Sequence, residues 1–239
     1  MQTFQAALTD IKTYEDGVLL LRFAPPPGSV FSFKPGQYAI LTVPHEKEPV
    51  KRLYSLASPP NDAYFELLIK PVPGGAASSY IQTLTAGSSV EMQGPAGLFE
   101  LQNTPKTKVF LSTGTGYAPM RSFILSTPHH TQNYYLFWGM PTFRTTYLVD
   151  ELISLSLHDP LFHPKVCLSR EASIEAVPET MRAYFSLGHV NDCLAPLISS
   201  QPQNSLEFYV CGHREVTESL REYLYNLQID PKMVFFERY

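Results

Sequence analysis

The residue pattern of this chain changes at a short polar segment, residues 101–105, and the two sides of that segment favour different kinds of fold. Before it, short apolar runs are separated by clusters of Gly, Pro, Asn and Asp, and one short helix is predicted at residues 79–84. Regularly spaced strands with turn residues between them are typical of an antiparallel barrel or sandwich. The predicted strands of this half are residues 18–24, 37–43, 52–55, 64–72 and 89–93.

After the polar segment, apolar runs of strand length alternate with helical patterns. One helix is predicted at about residues 147–157, and another after Gly212, where apolar residues recur at three- and four-residue spacing. Alternating strands and helices predict a parallel sheet with helices on both faces. The chain is long enough for two small domains, which we place at residues 1–103 and 104–239. The predicted strands of this half are residues 109–112, 134–138, 165–168, 206–210 and 233–236.

Composition and charge argue against several classes of function. The chain has 18 basic and 22 acidic residues, and it lacks the basic surplus that would favour nucleic-acid binding. No apolar run approaches the roughly 20 residues that a membrane-spanning helix needs, and the N-terminus lacks the pattern of a signal peptide. Cys167, Cys193 and Cys211 are widely spaced and form neither a disulfide framework nor a zinc or iron–sulfur motif. We therefore expect a cytoplasmic protein without a metal site.

Arg52, Tyr54 and Ser55 form an R-x-Y-S motif in a predicted strand. Because side chains alternate along a strand, Arg52 and Tyr54 are expected on one face and Ser55 on the other. A guanidinium beside a flat ring suits a flavin dinucleotide, since the guanidinium can grip the pyrophosphate and the ring can lie against the isoalloxazine. An ordinary half-buried strand can carry the same motif, so the motif alone does not assign a function.

A run of small residues precedes the short predicted helix, at Gly74, Gly75, Ala76, Ala77 and Ser78. Small side chains leave the amide N–H groups of a helix N-terminus accessible, and the helix dipole favours an anion there. Ser78 is the predicted N-cap of the helix. A pyrophosphate would suit this place, although a flexible glycine-rich turn with an ordinary cap would show the same residues.

In the second half, glycines follow the predicted strands, where parallel sheets bind their ligands. Gly114, Thr115 and Gly116 begin a G-T-G-x-A-P motif between a strand and a helix, and Gly139 and Gly212 end two other strands. The backbone amides of Thr115 and Gly116 can face a dinucleotide phosphate. Glycine lets a ligand approach the backbone closely, so we expect a ligand at this edge of the sheet.

Further candidates lie at the ends of other strands. Ser169 and Arg170 can hold the 2′-phosphate that distinguishes NADP from NAD, or they can form a plain surface loop. The Cys211 thiol can lie against a nicotinamide, or it can simply pack. Glu237 and Tyr239 lie at the C-terminus, where an aromatic ring can cover a flavin or the chain can fray.

In this order and at these spacings, the motifs resemble those of the ferredoxin–NADP reductase superfamily over nearly the whole chain. The resemblance rests on R-x-Y-S at 52–55, G-x-x-S at 75–78, G-P-x-G-x-F at 94–99, G-T-G-x-A-P at 114–119, C-G at 211–212 and a terminal Glu-x-aromatic. It implies a two-domain α+β architecture. The N-terminal domain would be a six-stranded antiparallel β-barrel that binds FAD, and the C-terminal domain an α/β parallel-sheet domain that binds NAD(P).

The resemblance also implies roles for single residues. Arg52 would grip the FAD pyrophosphate, Tyr54 would stack on the isoalloxazine, and Ser55 would hydrogen-bond near the nitrogen that accepts hydride. Cys211 and Glu237 would border the site of hydride transfer, so Ser55, Cys211 and Glu237 are the catalytic candidates. The cofactor-binding candidates are Arg52, Leu53, Tyr54, Ser55, Ile69, Gly74, Gly75, Ala76, Ala77, Ser78, Gly114, Thr115, Gly116, Ser169, Arg170, Cys211, Gly212 and Tyr239.

One position departs from the family pattern. Pro141 lies two residues after Gly139, where many relatives carry Arg. The departure weakens the expectation that the protein prefers NADP. It leaves Arg144 as a possible substitute for the missing Arg. Either NADPH or NADH therefore remains open as the electron donor.

The implied function is hydride transfer from NAD(P)H to bound FAD, followed by electron transfer to a separate acceptor. This acceptor would be a ferredoxin, a flavodoxin, an oxygenase component or a small molecule, because the chain carries no ferredoxin-type cysteine cluster. An NAD(P)H:flavin oxidoreductase that uses free flavin is the alternative, and a binding module that has lost the chemistry is a third. We expect the protein to be a monomer.

Overall fold

The chain folds into two compact units. The computed structural model describes residues 1–46, 48–61, 63–127 and 130–238. The first unit comprises residues 1–101 with 118–126, and the second comprises 102–117 with the chain from residue 127 onward. The division into domains at residues 103 and 104 stays a prediction.

The first unit is a six-stranded antiparallel sheet of half-barrel form, as the sequence motifs implied. Its elements are β1 Gln2–Thr13, β2 Leu19–Ala24, β3 Tyr38–Val43, β4 Val50–Ser55, β5 Phe65–Ile69, α1 Ala76–Thr83 and β6 Ser89–Ala96. The strand order is β4-β3-β6-β1-β2-β5, and an antiparallel bridge between Leu56 and Leu67 links the chain after β4 to β5. Phenylalanine rings fill the core, where the Phe31 ring centroid lies 4.9 Å from that of Phe4 and 4.7 Å from that of Phe65.

The second unit is built on a parallel sheet, as predicted, and this sheet has six strands where the sequence located five. Its strand order is β10-β9-β8-β7-β11-β12. Because every pair of neighbours is parallel, the carboxyl ends of these strands share one edge of the sheet. The strands are β7 Thr107–Thr113, β8 Tyr134–Met140, β9 Phe162–Leu168, β10 Phe185–Leu187, β11 Leu206–Gly212 and β12 Val234–Arg238. The helices that follow strands are α2 Tyr117–Leu125, α3 Val149–His158, α4 Val190–Ser200 and α5 Arg214–Asn226.

The structure differs from the sequence predictions in several element boundaries and in elements that were not predicted. Helix α1 begins at Ala76 instead of residue 79, and Gly75 is its N-cap. Strand β1, strand β10 and helix α4 were not predicted. Strand β10 has only three residues, and α4 contains Pro196, which normally argues against a helix interior.

A buried charge cluster attaches residues 118–126 to the first unit. Arg121 of α2 donates through Nη1 to Glu66 Oε2 and to the Ala57 carbonyl, both at 2.8 Å. Arg22 donates to the other carboxylate oxygen of Glu66 from Nε at 3.0 Å and from Nη2 at 2.8 Å. We call Arg22, Glu66 and Arg121 the Glu66 cluster. Since Glu66 and Arg121 are both buried, the helix is fixed by a charge pair that water does not screen.

A second buried ion pair lies in the second unit, near the start of its central strands. Lys108 Nζ donates to Glu207 Oε2 at 2.5 Å, to the Gln102 carbonyl at 2.9 Å and to Thr104 Oγ1 at 2.8 Å. Burial lowers the pKa of Lys108, and the hydrogen bond to Glu207 opposes that effect. The pair joins β7 to β11 and ties the segment 102–104 to both strands.

No helix in the described part of the chain combines the length and apolarity needed to cross a membrane. Among the same residues, no group of three or more His, Cys, Asp or Glu side chains is arranged to hold a metal ion.

Candidate functional site

The R-x-Y-S motif lies on β4, an edge strand of the first sheet. Strand pairing sets Arg52 opposite Leu41 and Tyr54 opposite Ala39, so the two side chains share a face. Arg52 is exposed, and its Nη1 donates to the Lys51 carbonyl at 2.9 Å. Tyr54 packs partly against the barrel core, and this burial raises its pKa while the Arg52 charge opposes the rise. The strand therefore presents a guanidinium beside a phenol ring.

The other barrel candidates differ in how accessible they are. Leu53 is 53% exposed, an unusual position for a leucine in a strand. Ser55 ends β4 and pairs with Tyr38 of β3. Ile69 is buried in the barrel core, so its backbone rather than its side chain would have to meet a cofactor. The contact of each with FAD stays a prediction.

The turn before α1 has small residues as predicted, but its N-cap residue is not the predicted one. Gly75, not Ser78, is the N-cap, and Ser78 lies inside the helix, where its hydroxyl accepts from the Val72 amide at 2.6 Å. In the part of the chain that the structure describes, no side chain caps this N-terminus. Gly74 has φ +72° with open space around its Cα, and Ala76 begins the first helical turn. Uncapped amides and small residues fit a pyrophosphate.

A glycine turn follows β7 in the second unit. Gly114–Gly116 form one 3₁₀ turn before α2. A Cβ on Gly116 would lie 2.3 Å from the Cys211 carbonyl oxygen, so only glycine allows the turn to press against the end of β11. Gly114 has φ +51° and open space where a side chain would be. Thr115 lies between them, and the turn leaves room for a ligand at the carboxyl edge of the sheet.

Two aromatic residues hold this turn in place. Trp138 donates from Nε1 to the Gly114 carbonyl at 2.9 Å, and its ring stacks on Tyr117 with centroids 4.7 Å apart. Both rings are fully buried. Sequence reasoning missed this support, although Trp138 is the only tryptophan and directly precedes Gly139, which was a usable signal.

Cys211 and Glu237 lie side by side on neighbouring strands of the sheet. Cys211 of β11 pairs with Ser112 on one side and Glu237 on the other. The Cys211 side chain is buried, and Gly212 follows it, where a Cβ would lie 2.7 Å from Thr113 Oγ1. The catalytic roles of Cys211 and Glu237 stay predictions.

The C-terminal strand is fastened to α5 by contacts that the sequence did not predict. The Arg221 guanidinium lies 3.6 Å from the Phe236 ring centroid, and Arg238 Nη1 donates to Glu218 Oε1 at 2.9 Å. These contacts flank Glu237 and so fix its place in β12. Tyr239, the expected terminal aromatic, lies outside the described residues.

Ser169 and Arg170 follow β9 and run beside the loop that follows β8. The Ser169 amide donates to the Met140 carbonyl at 3.0 Å, and the Arg170 amide donates to the Pro141 carbonyl at 2.8 Å. Arg170 is exposed, and so is Arg144 in the neighbouring loop. The two arginines lie on loops that follow neighbouring strands, and their contact with a 2′-phosphate stays a prediction.

Comparison with known proteins identifies the family of both halves of the chain. The oxidoreductase FAD-binding domain family matches residues 5–101, and the oxidoreductase NAD-binding domain family matches residues 110–222. Ferredoxin–NADP reductase B of Sorangium cellulosum is 28% identical over 243 residues, covering 100% of this chain and 98% of the relative. The electron transfer component of toluate 1,2-dioxygenase from Pseudomonas putida is 26% identical over 239 residues, covering 99% of this chain and 67% of the relative.

Solved structures share the fold over the whole length of the chain. A cytochrome P450 reductase from Amycolatopsis gives a TM-score of 0.86 at 22% identity, covering 99% of this chain and 69% of the other. A ferredoxin NADP⁺ reductase from Neisseria gonorrhoeae with bound FAD and NADP gives 0.81 at 18% identity, covering 100% and 99%. The family matches establish FAD and NAD(P)H as the cofactors. The chain therefore belongs to the ferredoxin reductase-like superfamily of FAD- and NAD(P)-binding oxidoreductases.

Proposed function

We propose that this chain is an NAD(P)H-dependent reductase that keeps FAD bound on its barrel and passes electrons to a separate protein acceptor, an oxygenase component or a ferredoxin. The observation that carries the proposal is the presence in the first unit of both exposed Arg52 and an uncapped helix N-terminus at Gly75. Both features suit a pyrophosphate, which FAD has and FMN or riboflavin lacks. The relatives named as oxygenase and ferredoxin reductases support this choice of acceptor.

The residues of the first unit would bind and orient the flavin. Arg52 and the amides of residues 75–78 would hold the pyrophosphate, and Tyr54 would lie along the ring. When bound, the flavin supplies the hydride acceptance and one-electron release that the reaction needs. Ser55 would donate or accept a hydrogen bond at the ring edge.

The residues of the second unit would bind the nicotinamide nucleotide. The amides of Thr115 and Gly116 would meet its pyrophosphate, and Cys211 and Glu237 would border the nicotinamide. Arg170, helped by Ser169 and Arg144, would select NADPH through its 2′-phosphate. This preference rests on the two exposed arginines at the same edge of the sheet.

We also place the protein in the cytoplasm and expect a monomer. In the part of the chain that the structure describes, the cysteines form no disulfide, as is usual in a reducing compartment.

The first test is the visible spectrum of the purified protein under anaerobic conditions, before and after NADPH and then NADH. We expect a yellow protein that NADPH bleaches more readily than NADH. Bleaching by NADH alone would keep the reductase and contradict the role of Arg170. A colourless protein that reduces only added free flavin would contradict the proposal and favour a flavin reductase.

Arg52→Ala tests the flavin site. We expect roughly 10- to 100-fold weaker retention of FAD, because a hydrogen bond to a charged group contributes about 1.5–3 kcal/mol. The measurement is the ratio of flavin to protein after gel filtration. Lys51→Ala is the matched control, since Lys51 carries the same charge on the same strand and its Nζ donates to Gln93. Equal FAD loss in both variants would refute a specific role for Arg52.

Arg170→Ala tests the choice of nucleotide. We expect the KM for NADPH to rise roughly tenfold through loss of one charge-assisted contact. The KM for NADH should stay unchanged and serves as the internal control. An equal rise of KM for both nucleotides would show that Arg170 supports the loop and does not bind the 2′-phosphate.

A further inference from the structure

A cavity of about 740 Å³ in the second unit is lined by helix α4 and by the first halves of strands β8 and β9. The strand register pairs Tyr135 with His163 and Phe137 with Lys165, so these four side chains share one face of the sheet. From His163, β9 runs about 16 Å further to Leu168, after which the nucleotide candidates of this strand follow. The cavity is therefore a site apart from the nucleotide edge of the sheet.

Aromatic rings form much of the cavity wall. The lining rings belong to Tyr135, Phe137, Phe162, His163 and Tyr184. The Tyr135 and His163 rings stack, with centroids 4.5 Å apart and planes 27° apart. Burial lowers the pKa of His163, although the charge of Asp159 opposes this effect, so the imidazole is neutral at pH 7 and extends the flat surface of the tyrosine. Such walls favour a flat aromatic ligand, because aromatic rings stack or meet edge to face.

Lys165 adds a positive charge to this aromatic wall. Among the lining residues that the structure describes, it is the only Lys or Arg, and none is Asp or Glu. Asp192, whose charge reaches Cys193, is not part of the lining. Lys165 Nζ donates to the Ala183 carbonyl at 2.6 Å, and an ammonium group has three protons to donate. The cavity therefore offers an anion a cation with further donors.

We propose that this cavity binds a small aromatic carboxylate, with its ring against the aromatic wall and its carboxylate on Lys165 Nζ. The cavity volume lies within the roughly 300–1,000 Å³ that is usual for small-molecule sites. Such sites combine apolar and aromatic walls with a few polar or charged groups that orient the ligand. A hydrogen bond between an ammonium and a carboxylate is roughly twice as strong as a neutral one, so the acid should bind more tightly than its neutral amide.

Cys193 gives the cavity a chemical reporter. This cysteine of α4 is partly exposed and lines the cavity, whereas Cys167 and Cys211 are buried and are not lining residues. A ligand in the cavity should therefore slow the alkylation of Cys193 in the folded protein. A ligand at the nucleotide edge should leave that rate unchanged.

The test is isothermal titration calorimetry with 2-naphthoate, on the purified protein with FAD, NADP⁺ and NAD⁺ in excess to occupy the cofactor sites. We expect one molecule of 2-naphthoate per chain, bound roughly tenfold more tightly than the neutral 2-naphthamide. In the same mixture, 2-naphthoate should slow the alkylation of Cys193 by iodoacetamide. No binding at millimolar concentration, equal affinity of acid and amide, or an unchanged rate of Cys193 alkylation would each overturn the proposal.

Variants of Lys165 test the contact with the carboxylate. Lys165→Gln keeps a donor for the Ala183 carbonyl and removes the charge, so it should bind 2-naphthoate roughly tenfold more weakly than the wild type. Lys165→Arg keeps the charge and should keep the preference for the acid over the amide. Lys232→Gln, at an exposed lysine of the same unit, is the matched control and should bind as the wild type does. Wild-type affinity in Lys165→Gln would refute the role of Lys165.

A variant of Ser200 tests the place of the ring. Ser200 lines the cavity at the end of α4, so the large side chain of Ser200→Trp should occupy part of the cavity and weaken the binding of acid and amide alike. Unchanged affinity for both ligands would place them elsewhere and overturn the proposal. None of these measurements uses turnover, so their outcome is separate from that of the proposed reductase function.

Discussion

Replacing Glu66 with glutamine tests how residues 118–126 are attached to the first unit. The Glu66 carboxylate accepts three hydrogen bonds, two from Arg22 and one from Arg121. The side chain of Arg121 is 7% exposed, whereas that of Arg22 is 44% exposed and can turn to water. Glu66→Gln therefore removes the negative charge that faces the buried Arg121 guanidinium at 2.8 Å. Removing one partner of a buried pair costs about 3–5 kcal/mol of unfolding free energy.

Urea unfolding followed by circular dichroism measures this loss. With a slope of about 2 kcal/mol per M, the midpoint of the first unit should fall by roughly 1.5–2.5 M. The matched control is Glu100→Gln, which removes the partner of Lys34 in an exposed ion pair of the same unit. An exposed pair contributes at most about 1 kcal/mol, so the control should stay near the wild type.

A double variant separates charge from packing in the Glu66 cluster. Glu66→Met with Arg121→Met removes both buried charges and should recover much of the stability that Glu66→Gln loses. If the double variant is as unstable as the single one, the loss comes from hydrogen bonds or packing. If Glu66→Gln behaves like Glu100→Gln, the burial argument itself is wrong.

Two further predictions concern the second unit. Gly116→Ala should reduce turnover with NAD(P)H and leave FAD content unchanged, because its Cβ would meet the Cys211 backbone at 2.3 Å. A Cβ at Gly114 meets no atom, so Gly114→Ala should cost only about 1 kcal/mol of unfolding free energy, for its positive φ. If both variants lose the same turnover with NAD(P)H, the clash at Gly116 is not the cause. Lys108→Met should lower the unfolding free energy by about 3–5 kcal/mol in urea titrations, since Glu207 stays buried without its cation. Lys106→Met is the control at a less buried site, and a matching loss there would contradict the prediction.

The sequence predicts the strand ends of the site because their signals are local. Glycine and small residues at 74–78 and 114–116 mark turns whose backbone conformations other residues rarely adopt. Strand β1 was missed because Ala6 and Leu8 are its only fully buried residues, which leaves a weak apolar pattern. Alternation is therefore limited to Phe4, Ala6 and Leu8, a short signal within a strand of 12 residues.

Contacts between distant positions were beyond sequence reasoning. Arg121 and Glu66 are 55 positions apart, and nothing local to either residue indicates the other. Likewise, nothing in the sequence around Gly114 indicates that Trp138, 24 positions away, donates a hydrogen bond to its carbonyl. The N-cap error at Ser78 arose because a hydroxyl before an apolar run looks like a cap, whereas here it bonds back to Val72.

The interleaved chain of the two units limits how the protein can be divided. Residues 118–126 belong to the first unit, but residues 102–117, which belong to the second, precede them. A gene fragment that stops at residue 103 would encode the barrel without Arg121, one of the two arginines that bond Glu66. A ribosome would likewise have to synthesise part of the second unit before the first could close its charge cluster. Any engineered exchange of either unit with a relative must therefore carry the helix with the barrel and join the chain on both sides of it.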